Sequence, residues 1–401
     1  MKLRILAMLV ATVSCVLAAA PVTVREGRLW QEGKPLRAIG VNYCDLFQEV
    51  LSNPDSDRTL RGLRYLGERK IPFVRFWCCG FWPSDWQLYL TDKEEYFRRL
   101  DLVVKTAEEA KVGLVPSLFW RFATCPNVVG EFVDAWADPQ SKTRALMATY
   151  VQEVVTRYRE SPAIWGWEFA NEVNLGVDLP NGMQFLGKKM PTLGVDLAKD
   201  ERNLTTKAIA DAAFVAFGSE VRKYDTERFI TSGNSILRPS QYNQTTHGTW
   251  TKDTPEEAAQ ALAWLNPDPV NVVSIHLYPG LEKPLSHADT TGTADVIGLH
   301  KTWCERLGKP LFVGEFAAIG HDKGKEIDMA VYRRVQGELM AAILEHRVDL
   351  AAHWVFDYTA NRKGPGLVRV DNEWAWILDE VGRGNEAIQA QLAQEAKAKE
   401  E

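Results

Sequence analysis

The chain is 401 residues long, 46% hydrophobic and 25% charged, an ordinary globular composition with enough length to bury a large core. A formal net charge of −6 argues against a nucleic-acid partner, which needs a basic stripe to neutralise phosphates. Length alone admits two or three domains, but no composition shift or Ser/Pro-rich linker marks a boundary, so residues 21–401 read as one domain.

The N-terminus reads as a signal peptide over residues 1–20. Lys2 and Arg4 form a charged start, Ile5 to Leu17 is mostly apolar, and Ala18, Ala19 and Ala20 supply small cleavage-site residues. Pro21 disfavours a cut directly before it, which places cleavage after Ala18 or Ala19. Thr-Val-Ser before Cys15 fits a lipid-attachment box poorly. No later segment has an apolar run of membrane-spanning length. The expected location is therefore secreted or periplasmic. An oxidising compartment permits disulfides among Cys44, Cys78, Cys79, Cys125 and Cys304, but an odd count leaves at least one thiol unpaired. No Cys-x-x-Cys pair or matching histidine spacing supports a metal site.

Val22–Arg37 alternates and turns at Glu26-Gly27 and Glu32-Gly33, as a short antiparallel hairpin does. Eight short apolar runs follow: Leu36–Tyr43, Phe73–Trp77, Gly113–Phe119, Ile164–Ala170, Arg228–Ser232, Val270–Tyr278, Pro310–Phe316 and Leu350–Phe356. Amphipathic stretches lie between them, at Asp57–Arg69, Glu94–Lys111, Ser141–Glu160, Leu204–Tyr224, Asp295–Leu307 and Glu326–His346. Apolar strands separated by helices imply parallel strands covered by helices. Eight such units point to a (β/α)8 TIM barrel, with a doubly wound sheet as the alternative. Gln389–Glu401 is polar and Ala-rich, as a fraying terminal helix is. The long connection Val173–Arg202 is expected to wall the cleft.

Barrel enzymes carry their chemistry at the C-terminal ends of the strands. The polar residues there are Asn42, Arg75, Asn171 with Glu172, Asn234, His276 with Tyr278, Glu315, and Trp354 with Asp357. Two carboxylates stand out, Glu172 just past the fourth run and Glu315 at the end of the seventh. Glycoside hydrolysis needs such a pair, one group to protonate the leaving oxygen and one to attack the anomeric carbon or activate water. The 14 tryptophans supply platforms on which pyranose faces stack. Trp77, Trp82, Trp86, Trp120, Trp136 and Trp250 are candidates, with core packing an equal alternative for each. Trp165 and Trp167 read as packing residues and Glu168 as a buried, paired carboxylate. Glu131, Asp134 and Asp357 are weaker candidates for substrate contact.

Trp-Glu-Phe-Ala-Asn171-Glu172, Ser274-Ile-His276-Leu-Tyr278, Phe312-Val-Gly-Glu315-Phe, His353-Trp354 and Arg75 in Phe-Val-Arg-Phe-Trp together resemble glycoside hydrolase family 5, the cellulase and mannanase family of clan A. The five matches run in order along nearly the whole chain. The resemblance implies Glu172 as acid/base and Glu315 as nucleophile. Asn171 would hold the sugar 2-hydroxyl, and Arg75 and Tyr278 would hydrogen-bond Glu315. His276 would sit beside Glu172, and Trp354 would floor the cleavage point. Trp120 is expected to join the substrate contacts. The family retains anomeric configuration, which implies carboxyl groups roughly 5 Å apart. Its chemistry needs no metal or organic cofactor. The sequence departs from the family at Ser117-Leu-Phe119-Trp120, where many members carry a histidine, and at Cys78-Cys79. β-1,4-Mannan and β-1,4-glucan are the favoured substrates by family frequency. Transglycosylation, a non-catalytic carbohydrate-binding barrel and a metal-dependent hydrolase are the competing functions. Oligomeric state, disulfide pairing and endo or exo action are not legible here.

Overall fold

The computed structural model describes residues 21–78, 83–186, 199–279, 292–318, 328–359, 366–370 and 372–400. Residues 1–20, the segment read as a signal peptide, lie outside it, as do Cys79 and Trp82. The N-terminal hairpin is extended by one strand into a three-stranded antiparallel sheet, β1 (Thr23–Arg25), β2 (Arg28–Gln31) and β3 (Lys34–Pro35). Both two-residue turns have positive φ at each position (Glu26 and Gly27, Glu32 and Gly33). That backbone matches the twist of the strands it joins, and glycine adopts it freely.

Eight parallel strands form the barrel: β4 (Ala38–Asn42), β5 (Phe73–Trp77), β6 (Gly113–Ser117), β7 (Gly166–Glu168), β8 (Phe229–Thr231), β9 (Val273–Leu277), β10 (Leu311–Phe316) and β11 (Leu350–His353). Each lies within one of the eight apolar runs. The last strand pairs with the first, Leu350 opposite Ala38. A parallel bridge from Thr231 to Val272 links β8 to β9. A doubly wound sheet has no such closure, so that alternative falls.

A helix follows every strand, at Arg58–Glu68, Lys93–Ala110, Lys142–Tyr158, Lys207–Tyr224, Pro255–Trp264, Thr293–Leu307, Met329–Glu345 and Trp376–Glu400. The last of these contains the stretch read as a terminal helix from Gln389 and is longer than that reading. It begins well before Gln389, and Ile377, Leu378, Val381 and Ile388 bury one stripe against the barrel. Shorter helices Leu46–Ser52, Pro83–Thr91, Thr124–Val128 and Gln241–His247 sit in loops after strands.

Side chains alternate in and out along each strand. On β5, Val74 and Phe76 join the core between sheet and helices, while Phe73 joins a separate inner cluster with Leu29, Val115, Trp165, Phe229, Val272, Phe312 and Leu350. This cluster plugs the lower, N-terminal end of the barrel under the small antiparallel sheet. Trp165 and Trp167 are packing residues, as read: Trp165 belongs to the plug, and Trp167 faces the helices with its indole N–H donating to Asp225. The four described cysteines, Cys44, Cys78, Cys125 and Cys304, are buried and unbridged.

Candidate active site

One pleat above the plug, Arg75 takes the inward position of β5. Its guanidinium is fully buried, and each of its three nitrogens donates, to four residues in all. Nε donates to both oxygens of Glu168, at 3.0 and 2.8 Å. Nη1 donates to Asn42 Oδ1 at 3.1 Å and Glu315 Oε1 at 2.8 Å, and Nη2 donates to Asn171 Oδ1 at 2.9 Å. Asn42 is fixed in turn by donating to the Gly314 and Ala352 carbonyls. The Trp120 ring lies 4.3 Å from the guanidinium carbon, a cation–π contact. Burial opposes the charge on Arg75, but Glu168 and Glu315 outweigh it and raise its pKa, so the cation is permanent.

A β-bulge aims Glu315. Val313 pairs with Ile275, yet the next pairing is Glu315 with His276. The extra residue, Gly314, turns Glu315 to the barrel interior; without it, strict alternation from Phe312 would send Glu315 outward. Glu315 Oε2 accepts from the Tyr278 hydroxyl. Burial, followed by the negative charge of Glu315, pushes the Tyr278 pKa well up, so the phenol stays a donor.

Glu172 stands beyond the end of β7 in the left-handed backbone region, with φ of 54°, and its N–H donates to the Gly233 carbonyl at 2.9 Å. Its carboxylate is 29% exposed, against 5% for Glu315. His276 Nδ1 lies 3.0 Å from Glu172 Oε1 and 3.5 Å from Glu315 Oε1. Burial works to raise the Glu172 carboxyl. Hydrogen bonds from His276 and Ser235, with the Arg75 charge, outweigh it and lower the pKa. One carboxylate oxygen of each glutamate and a His276 nitrogen all lie within 4.8 Å of one another. Three such ligand atoms could in principle meet a cation. Here Arg75 already stands against Glu315, and Tyr278 and His276 occupy lone pairs, so a dication would face a fixed positive charge. The donor set fits a carboxylate pair better than a metal centre.

Trp354 lies half-buried at the end of β11, its ring 6.5 Å from that of Trp120 at an interplanar angle of 22°, with Tyr358 edge-on to it. The eight residues singled out from the sequence therefore converge on one end of the barrel. Trp120 differs from the rest: its ring is taken up by Arg75, Trp77 and Trp354 and is only 4% exposed. Trp86 and Trp136 pack in the outer core, whereas Trp250 is exposed. Glu131 caps the helix Lys142–Tyr158 through Lys142 and Thr143, and Asp357 pairs with Arg58 and Tyr43. Asn234 donates to the Leu265 carbonyl and braces a loop. Sequence reasoning passed over Ser235, whose hydroxyl bonds Glu172. Asn174 places it by accepting from the Ser235 N–H and donating to its carbonyl, both at 2.9 Å. Nothing in Gly-Asn-Ser signals that role. Asn174 opens the long connection after Glu172. Arg238 pins the start of that loop by donating to the carbonyls of Asn174, Leu175 and Val177, while residues 187–198 of it lie outside the described set.

Two carboxylates facing each other from β7 and β10 across the mouth of a (β/α)8 barrel define the glycoside hydrolase class. Within it, the chain belongs to glycosyl hydrolase family 5: the sequence model of that family, described as cellulase, matches residues 65–358. A probable mannan endo-1,4-beta-mannosidase C of Aspergillus terreus is 37% identical over 131 residues, 30% of this chain and 31% of that protein. Mannan endo-1,4-beta-mannosidase A of Podospora anserina is 33% identical over 81 residues, 19% of this chain and 21% of that one. The matched stretches thus span about a fifth to a third of these curated relatives. Among solved structures, the endo-1,4-beta-mannanase of Rhizomucor miehei superposes with a TM-score of 0.64 at 16% identity, over 92% of this chain and 100% of that one. An exo-beta-1,4-mannosidase from Opitutaceae bacterium strain TAV5 gives 0.59 at 17%, over 91% and 63%. At these identities the structures show the shared fold. No helix among the described residues is long and apolar enough to cross a membrane.

Proposed function

We propose that this protein is a retaining β-glycosidase acting on β-1,4-mannan by double displacement, with Glu315 as nucleophile and Glu172 as acid/base. The observation that carries the mechanism is the close approach of the two carboxylates, one oxygen of each lying within 4.8 Å of the other. Retaining enzymes hold their carboxyl groups about 5–5.5 Å apart, and inverting enzymes leave about 6.5–9.5 Å for a water between them. Environment supports this division of roles. Glu315 is buried and held by Arg75 and Tyr278, so its carboxylate is fixed in orientation. Glu172 is the more exposed of the pair and able to exchange protons. Mannan is favoured over glucan because the relatives and several structural neighbours are named as mannanases.

In the first step Glu315 attacks the anomeric carbon while Glu172 gives its proton to the leaving oxygen. A glycosyl ester forms and the glycosidic bond breaks. In the second step Glu172 takes a proton from water, which attacks the same carbon and releases Glu315. Asn171 is held by Arg75, leaving its amide N–H groups to meet the sugar 2-hydroxyl, and Trp354 floors the sugar. Because the resting Glu172 carboxyl is held low, activity falls as pH rises through its pKa, which gives an acidic optimum. The N-terminal sequence pattern supports action outside the cytoplasm.

Proton NMR of mannan oligosaccharide cleavage tests the mechanism: the β-anomer should appear first. A first-formed α-anomer sinks the retaining reading. Glu172→Ala with azide should yield a β-glycosyl azide, and activity surviving in Glu315→Ala would remove the nucleophile. Cleavage of β-glucan but not β-mannan would move the substrate assignment.

A further inference from the structure

Glu168 lies in the layer beneath the carboxylate pair, is wholly buried and touches neither the cleft nor Glu172. Its two oxygens both accept from Arg75 Nε, while the other edge of the same guanidinium serves Glu315. One buried cation is therefore shared between two carboxylates on opposite edges. The pocket around Glu168 is closed: a Cβ on Gly233 would fall 2.9 Å from the Glu168 carboxyl carbon and 1.8 Å from the Ala170 carbonyl oxygen. The residues in register beside it, Ser117 on β6 and Thr231 on β8, carry no charge. Arg75 is its charged partner.

We propose that Glu168 is a positioning residue for the glycosidase reaction. It fixes the orientation of Arg75 and draws off part of the guanidinium charge, so that Glu315 is held in place yet stays basic enough to attack carbon. A guanidinium devoted to Glu315 alone would bind that carboxylate more tightly and blunt it as a nucleophile. The groups facing Glu315 are Arg75 from β5, Glu172 from the loop after β7, His276 and Tyr278 from β9, and the Cys44 thiol after β4. Glu168 acts on Glu315 only through Arg75. The inference rests on the assignment of Glu315 as nucleophile.

The test compares wild type, E168Q and E168D as full-length protein. Two readouts apply: carboxyl 13C NMR titration, with E315Q identifying the Glu315 resonance, and the pH profile of kcat/KM on an aryl β-mannoside. E168Q should lower the Glu315 titration by about one pH unit and move the acid limb of the profile down with it, while kcat falls. E168D keeps the charge at a longer reach, so its shift should be in the same direction and smaller, with kcat down on the order of 10²-fold from misplacement. It also carries the test should E168Q not fold. Loss of kcat in both variants with Glu315 titrating as in wild type would show a scaffold role only and overturn the proposal. A shifted titration in a protein whose wild type hydrolyses no β-glycoside would uphold the charge sharing and overturn the hydrolase reading instead.

Discussion

The two ends of the barrel interior are built from the same strands and hold opposite contents. At the lower end the inward residues of β5, β6, β8 and β10 are Phe73, Val115, Phe229 and Phe312, packed with Trp165, Val272 and Leu350. Higher up, the inward residues of β5, β6, β7 and β9 are Arg75, Ser117, Glu168 and His276, and the bulge delivers Glu315. The lower layer gains stability from apolar burial, which is tolerant of detail. The upper layer buries an arginine and two carboxylates, which repay their desolvation only when every donor has an acceptor. Arg75 comes near that condition: each of its three nitrogens has an acceptor, on four partner residues in all. The lower end can therefore be weakened without touching chemistry, and the upper end can lose chemistry while the fold stands.

The largest break expected is Glu315→Ala, which should cost about 10⁴-fold or more in kcat, roughly 5 kcal/mol of transition-state stabilisation. The cooperative melt should persist, and steady-state kinetics beside a thermal scan would check both. Phe73→Ala should do the reverse. It should lose about 3–5 kcal/mol of stability, read by urea unfolding, with KM and kcat close to wild type.

The third prediction sharpens the contrast through pH. His353, fully buried in β11, has no hydrogen-bond partner among the described residues for either ring nitrogen, and burial depresses its pKa to about 3. The unfolded chain binds its proton near the usual histidine value and the folded chain does not. Its contribution is thus intact above about pH 6.5 and is lost at roughly 1 kcal/mol per unit as pH falls towards 3. His353→Leu should flatten that part of the stability–pH curve measured by denaturant titration; an unchanged slope would remove His353 as the cause. The smallest effect should come from His276→Asn, which removes the leading hydrogen bond that lowers Glu172. The basic limb of kcat/KM should move up by about one pH unit.

How far the sequence could be read follows the same division. The eight strands were legible because apolar runs between helical patterns have few other readings, and Glu172 and Glu315 because they stand at the ends of the fourth and seventh strands. The direction of Glu315 was not legible. Strict alternation from Phe312 would turn it outward, and only the pairing with β9 reveals the bulge. The helix Pro255–Trp264 was passed over although Thr254-Pro-Glu-Glu257 spells its start, with Thr254 and Glu257 bonding each other's backbone N–H. Trp86, Trp120 and Trp136 could not be sorted, since a buried ring and a sugar platform are the same residue until neighbours are placed. Ser235 stayed hidden because Asn174, 61 positions away in sequence, is what orients it.

At the lower end, β4 pairs with β5 only from Val41 upward, and Asn385 of the helix Trp376–Glu400 completes the strand below that point. Its side chain accepts from the Ile39 N–H and donates to the Ile39 carbonyl, each at 2.8 Å. The two residues are 346 positions apart. At a ribosomal pace of about 5–20 residues per second, the interval between making one and making the other is on the order of 20–70 s. Throughout that time the lower part of the opening strand lacks this partner, so the ring is sealed only by the last helix to be made.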